Sequence, residues 1–186
     1  MFRKLGFTMI ELLIVIAVLG ILAVAVLSAI NPIEQINRGK DTGSRSDAEQ
    51  TLSAIDRFYA SQGYYPWQTG AGDSLHEPIA WQLLTDAADT TTPTPVTVLA
   101  KLSTGGTSEL KTSFVNRISP TTYNPLYIYN GGAQGNSTYV CFTPNSGSFQ
   151  TEAVTRCGTA GAGLPADLAG AAASVCATGA EMICLP

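Results

Sequence analysis

The chain reads as an α+β protein: a long N-terminal α-helix, membrane-spanning in its first half and amphipathic in its second, packed on a small antiparallel β-sheet in a loop-rich C-terminal domain. Three observations predict this. From Leu12 to Ile30 there are 19 residues without a charge. Downstream, Ala48, Leu52, Ile55 and Tyr59 recur at intervals of three and four, the period of a helix with one buried face. Further on, Leu126-Tyr127-Ile128-Tyr129 and Thr138-Tyr139-Val140-Cys141-Phe142 flank a Gly- and Asn-rich stretch, the pattern of a β-hairpin.

The 186 residues suit one ordinary domain, but only 13% are charged, about half the roughly 25% of soluble domains. The formal net charge is −4, and the ten Lys and Arg are scattered. A nucleic-acid-binding face needs a basic patch that displaces counterions, and none is present.

The first element is the apolar run. Taken as helix, Phe7 to Ile30 is 24 residues, about 36 Å long against a hydrocarbon core of about 30 Å. Leu, Ile, Val and Ala occupy every face, so the helix is a membrane span or wholly buried, and a chain this small has little core to bury it in. Arg3 and Lys4 precede the run, which leaves the N-terminus cytoplasmic and the rest of the chain outside. A cleaved secretory signal is the competing reading. Its apolar core is shorter, about 7 to 15 residues, but Ala23-Val24-Ala25 supplies a small-x-small site, which predicts a soluble binding domain beginning near Val26.

Glu11 breaks the plain membrane-anchor reading. A carboxyl at membrane depth is costly and marks a functional site with a partner to be named. No internal partner for it is apparent, and Arg3 and Lys4 are the basic groups that could snorkel toward it.

The string Lys4-Leu5-Gly6-Phe7-Thr8-Met9-Ile10-Glu11-Leu12-Leu13 resembles the class III leader junction of type IV prepilins and pseudopilins: a short basic leader ending in Gly, then Phe, then Glu four residues on, then a full span. The resemblance implies that a prepilin peptidase cuts between Gly6 and Phe7 and that the same enzyme methylates the new amino group of Phe7. Loss of Arg3 and Lys4 with the leader takes the formal charge from −4 to −6, before the new amino terminus is counted. The resemblance also implies that Glu11 neutralises the N-terminal amine of a neighbouring subunit inside a helical filament, since pairing partly offsets the desolvation of both charges. Pairing within one subunit and between two are both open. The expected partners are further copies of the chain, the prepilin peptidase and the assembly machinery. The precursor is expected in the cytoplasmic membrane, and the product in a surface filament or a cell-envelope pseudopilus.

The next element is the second half of the long helix. Pro32 should end, bend or kink the span. Gly39 and Gly43 each weaken a helix by about 1 kcal/mol relative to Ala. A hinge or soft stretch is therefore expected over 31–45, with a loop leaving the membrane as the alternative. Ser46-Asp47-Ala48-Glu49 has capping-box spacing and predicts a helix restarting there. Its stripe Ala48, Leu52, Ile55 and Tyr59 should face the core, with Asp47, Glu49, Asp56 and Arg57 turned away. Gly63 should end it.

The globular part begins near Trp67. Ser74 to Glu77 repeats the capping-box spacing, predicting a short helix to about Asp86. Val98 to Leu102 and Leu110 to Ile118 are expected to be helical. A third strand is expected at Phe149 to Val154 and a last one at Glu181 to Leu185. The organisation expected is thus a cleaved leader (1–6), a transmembrane and polymerisation helix (7–30), a hinge with the amphipathic half-helix (31–66) and an extracytoplasmic domain (67–186).

Four cysteines, Cys141, Cys157, Cys176 and Cys184, lie in the exported part, where disulfides persist. No two form C-x-x-C, and zinc is disfavoured. Of three possible connectivities, Cys141 with Cys157 and Cys176 with Cys184 is preferred, because a clamp near the C-terminus would pin the Gly/Ala-rich tail. No catalytic set is evident. The single histidine, His76, has no partner motif, and Gly131 to Gly135 reads as a hairpin turn. Asp73, Glu77, Asp86 and Asp89 could offer oxygen ligands to calcium, but no motif matches, so no metal or other cofactor is expected. Asn136-Ser137-Thr138 has the form of a glycosylation sequon.

The leading function is a structural subunit of a type IV pilus. The alternative is a pseudopilin of a type II secretion or DNA-uptake machine, and an enzyme is not expected.

Overall fold

The computed structural model describes residues 6–29, 31–73, 78–89, 94–104, 108–120, 123–133, 135–159 and 161–186. The expected capping pattern at Ser74 and Glu77, His76, and the leader residues Arg3 and Lys4 lie outside them. Helix α1 covers Met9–Ala29 and α2 covers Pro32–Gln62. Asn31 caps α2, its Oδ1 accepting from the Glu34 amide at 3.3 Å. Pro32 then occupies the first turn, where its missing N–H costs no bond. It starts a helix rather than kinking one. At the far end Gly63 adopts φ +77° and its N–H bonds the Tyr59 carbonyl at 2.8 Å, the left-handed cap expected there.

Helix α2 is unbroken from Pro32 through Gly39 and Gly43, so no soft stretch runs across 32–45, and of the described residues between the two helices only Asn31 is non-helical. Nor does a helix restart at Ser46, which lies mid-helix and accepts from Gln50 Nε2 at 3.4 Å. The physical reason is that the first half of α2 is held by the domain. Asn37, Arg38, Asp41 and Arg45 all bond residues between Asn145 and Glu152. The buried stripe is Ser44, Ala48, Thr51, Ile55 and Phe58, with Leu52 and Ala54 beside it. Phe58 takes the place expected for Tyr59, which is 46% exposed and packs at a tilt against Tyr65. Asp47, expected outside, is buried under a bidentate pair with Arg117, at 2.6 and 2.8 Å.

Strands β1 (Ile79–Leu83), β2 (Leu126–Asn130), β3 (Tyr139–Phe142) and β4 (Ile183–Leu185) form one antiparallel sheet in that spatial order. The β2–β3 hairpin and β4 match expectation. β1 replaces the helix expected to run to Asp86: its pairing with β2 and the stack of Trp81 on Tyr127, 5.2 Å apart, outweigh local helix preference. Helices α3 (Val98–Ser103) and α4 (Thr112–Ile118) lie where predicted.

The strand expected at Phe149 to Val154 is instead helix α5, Gly147–Cys157. Phe149, Ala153 and Cys157 repeat at four. The start of α5 is held by carboxylates of α2, with Asp41 accepting from the Asn145 and Ser146 amides and Glu34 from the Gly147 amide. One sheet face packs Leu126, Ile128, Val140, Phe142 and Ile183 into the core shared with α2. The other face, with Tyr139, Cys141 and Cys184, is covered by Leu168, Ala171 and Val175, the last in helix α6, Ala172–Val175.

The disulfides join Cys141 to Cys184 and Cys157 to Cys176, not the pairs expected. Cys141 and Cys184 are direct partners in the β3–β4 register, and Cys157 ends α5 opposite the residue that follows α6. Loop-closure entropy over separations of 43 and 19 residues assigns about 4 and 3 kcal/mol respectively. Replacing both Cys141 and Cys184 by Ala should therefore lower the thermal midpoint more than replacing Cys157 and Cys176. Non-reducing peptide mapping should recover the 141–184 and 157–176 linkages.

The covering segment is tied to the hairpin by Asp167, which accepts from the Ser137 amide at 2.9 Å and the Tyr139 hydroxyl at 2.8 Å. The Ser137 amide, above all, holds the Asp167 carboxyl below its usual range. Burial first, then the bond to Asp167, pushes the Tyr139 hydroxyl up to about 12. A depressed carboxyl contributes stability that is present above its unfolded value of about 3.9. That contribution is lost as pH falls through the lower folded value. Acid titration of Asp167→Asn should show a shallower stability loss below about pH 4 than the unsubstituted chain.

Candidate processing and assembly site

Gly6, Phe7 and Thr8 precede α1 without helical structure. Helix begins at Met9 because Thr8 and Glu11 cap it reciprocally. The Thr8 hydroxyl accepts from the Glu11 amide at 3.3 Å, and Glu11 Oε2 accepts from the Thr8 amide at 2.9 Å and from the Thr8 hydroxyl at 2.7 Å. This is a capping box. It corrects the expectation that Glu11 has no internal partner: its carboxylate satisfies an amide that would otherwise face hydrocarbon unpaired. Thr8 is the site residue that sequence reasoning missed, although the Thr-x-x-Glu spacing carried the signal.

Both bonds fall on Oε2, so Oε1 has no bond among the described residues. The carboxylate can therefore hold its own helix start and still offer an oxygen outward. Phe7, just ahead, is 79% exposed. A Cβ at Gly6 would meet nothing within 4 Å. Among the described residues, no packing demands glycine there.

Behind the cap, Met9 to Ser28 has mean hydropathy 3.1 and none of it is buried against the chain. At 1.5 Å per residue the 21 residues of α1 extend about 32 Å, matching a hydrocarbon core of about 30 Å. Glu11 is the only charge on it. Residues 1–27 match the family model described as the prokaryotic N-terminal methylation motif. The chain carries the class III leader of type IV pilins and pseudopilins. This match supports a pilin or pseudopilin and, with the apolar helix, fits a membrane-anchored precursor. No curated protein and no solved structure matches the chain.

The other sequence-derived candidates do not converge. Asp73 Oδ2 accepts from the Thr69 amide and hydroxyl, Asp89 pairs with Lys101 at 2.7 Å, and Asp86 accepts from the Thr85 hydroxyl. Glu77 lies outside the described residues, among which no three His, Cys, Asp or Glu are grouped to hold a metal ion. All four cysteines are in disulfides. The Asn136 amide of the sequon lies against Gly131, 2.6 Å from where a Cβ would stand. Pro32, Gly39 and Gly43 are distributed over the first turns of α2, away from the Thr8–Glu11 cap.

Proposed function

We propose that the protein is a structural subunit of a type IV pilus. In this reading the leader 1–6 is removed by cleavage between Gly6 and Phe7, and the Phe7 amine is methylated. Subunits assemble through α1, with residues 67–186 displayed outward. The observation that carries the reading is the junction itself: an open glycine and an exposed Phe7 stand immediately before a capped, membrane-length helix whose one charge is Glu11. Released from its leader, the Phe7 amine is a cation at the edge of an apolar helix, and Oε1 of a neighbouring Glu11 supplies the anion that offsets its desolvation. The same motif supports a structural role. A pseudopilin of a secretion or DNA-uptake machine shares junction and helix, and the two extracytoplasmic disulfides support the displayed pilus domain.

The test is a bulky substitution at Gly6. Gly6→Trp should accumulate as unprocessed, membrane-held precursor, while Gly6→Ala is cut. Efficient cleavage of the Trp variant between residues 6 and 7 would sink the assigned junction. Electron microscopy of the cell surface then separates long filaments from a short envelope-bound pseudopilus.

A further inference from the structure

On the exposed side of α2, two ion pairs bridge the helix to the segment that holds α4. Arg57 donates from Nε to Glu109 Oε2 at 2.7 Å and from Nη2 to the Glu109 carbonyl at 3.3 Å. Arg117, reaching from α4, holds Asp47 at 2.6 and 2.8 Å. Asp47 and Arg57 stand about 15 Å apart along α2 at 1.5 Å per residue, and beside this stretch lies a groove of about 930 Å³. Its walls are polar. Glu49, Gln50 and Ser53 line it from α2 and Lys111 and Ser113 from the other side, all exposed. Phe114, half-buried, adds an aromatic ring.

The charges of the groove balance. Each bridge joins an anion to a cation, and the two groups left over, Glu49 and Lys111, have opposite signs and make no ion pair among the described residues. A ligand of net charge therefore meets no excess of the opposite sign. Donors, by contrast, are held ready. Of a guanidinium's five N–H donors, each arginine spends two on its bridge and keeps three, and both side chains are about half exposed. Because the bridges already fix these donors, less side-chain freedom is lost when a ligand adds its own bonds. Phe114 is fixed likewise, with the Arg117 guanidinium 5.1 Å from its ring centroid. A peptide would want an apolar trough for a helix or a free sheet edge for a strand, and the groove, walled by polar side chains of two helices, supplies neither.

We propose that this groove binds a neutral oligosaccharide. A sugar hydroxyl donates and accepts at once, so it bonds carboxylate, ammonium, amide and guanidinium alike, and the C–H face of a sugar ring suits the apolar body of Phe114. The volume lies within the range of small-ligand clefts, about 300 to 1,000 Å³, and the length suits a short chain of rings rather than one. Such binding belongs to the domain and holds whether the subunit builds a pilus or a pseudopilus.

The test is to titrate the full chain, in a detergent without a sugar headgroup, with cellotriose, maltotriose and triacetylchitotriose, and with trigalacturonate as the acidic counterpart. Saturation-transfer NMR should show at least one neutral trisaccharide in contact with the protein, and trigalacturonate binding weaker by about tenfold. Ser53→Trp fills the groove between the bridges and should weaken the neutral sugar by about tenfold or more. Gln50→Ala removes one hydrogen-bonding amide and should weaken it by about fivefold. Both variants should unfold at the midpoint of the unsubstituted chain, since neither side chain is buried. Absence of binding by all the neutral sugars, trigalacturonate binding as tightly as they do, or binding undiminished in Ser53→Trp would overturn the assignment.

Discussion

Replacing Asp41 by alanine should destabilise the exported domain by about 3 to 5 kcal/mol, the cost of breaking up a buried, charge-assisted network. Asp41 is fully buried, and four donors converge on it. They are the Ser146 hydroxyl at 2.6 Å, the Ser146 amide at 2.8 Å, the Asn145 amide at 2.9 Å and Asn145 Nδ2 at 3.4 Å. Alanine leaves two backbone N–H groups and a hydroxyl without acceptors at the start of α5. Asp41→Asn keeps one acceptor oxygen and should lose about half as much. The loss should appear as a lower denaturation midpoint for the full chain in detergent. It should also appear as faster amide exchange over 34–45, because α2 there contains two glycines and depends on the domain to stay helical.

Glu11→Ala should be processed normally yet fail to assemble. In the proposed reading the peptidase acts at Gly6 and Phe7, and an alanine four residues beyond Phe7 leaves that junction intact. In an assembled bundle, however, the Phe7 amine would lose its anion, and an unpaired buried charge costs about 3 to 5 kcal/mol. Assembled material should therefore fall on the order of a hundredfold or more. Two companion variants separate charge from capping. Glu11→Gln retains the side-chain acceptor that a capping box needs but carries no charge, and should fail like alanine. Thr8→Val loses the cap and keeps the charge; a cap is worth about 1 kcal/mol, so assembly should weaken by less than about tenfold. Normal filaments from Glu11→Gln would refute charge pairing as the basis of assembly.

What could be read from the sequence was what short stretches of chain decide. The span, the Gly63 cap and the β2–β3 hairpin are each set within about twenty residues by apolar period or turn chemistry, and each stands where expected. The errors share one cause. β1 and α5 are short segments whose apolar pattern suits helix or strand, and pairing with β2 or capping by Asp41 and Glu34 decides between them. Asp41 and Asp47 are charges on a helix face that solvate by default. Their burial depends on donors 104 and 70 residues away, which spacing does not reveal. The cysteine pairing depends likewise on the β3–β4 register. At the candidate site, Gly6, Phe7 and Glu11 were legible from the motif. The Thr8 cap is equally visible in the Thr-x-x-Glu spacing, but a carboxyl at membrane depth suggests a cation as its partner, whereas Glu11 is met by an amide and a hydroxyl.

In the proposed reading, cleavage at Gly6–Phe7 is the step that makes this chain a subunit. The most direct measurement is the intact mass of the native protein together with tandem mass spectrometry of its N-terminal peptide. The account predicts a chain beginning at N-methylated Phe7 and lighter by the four hydrogens lost to two disulfides. A chain beginning near Val26, or one retaining Met1 to Gly6 in assembled material, would contradict it.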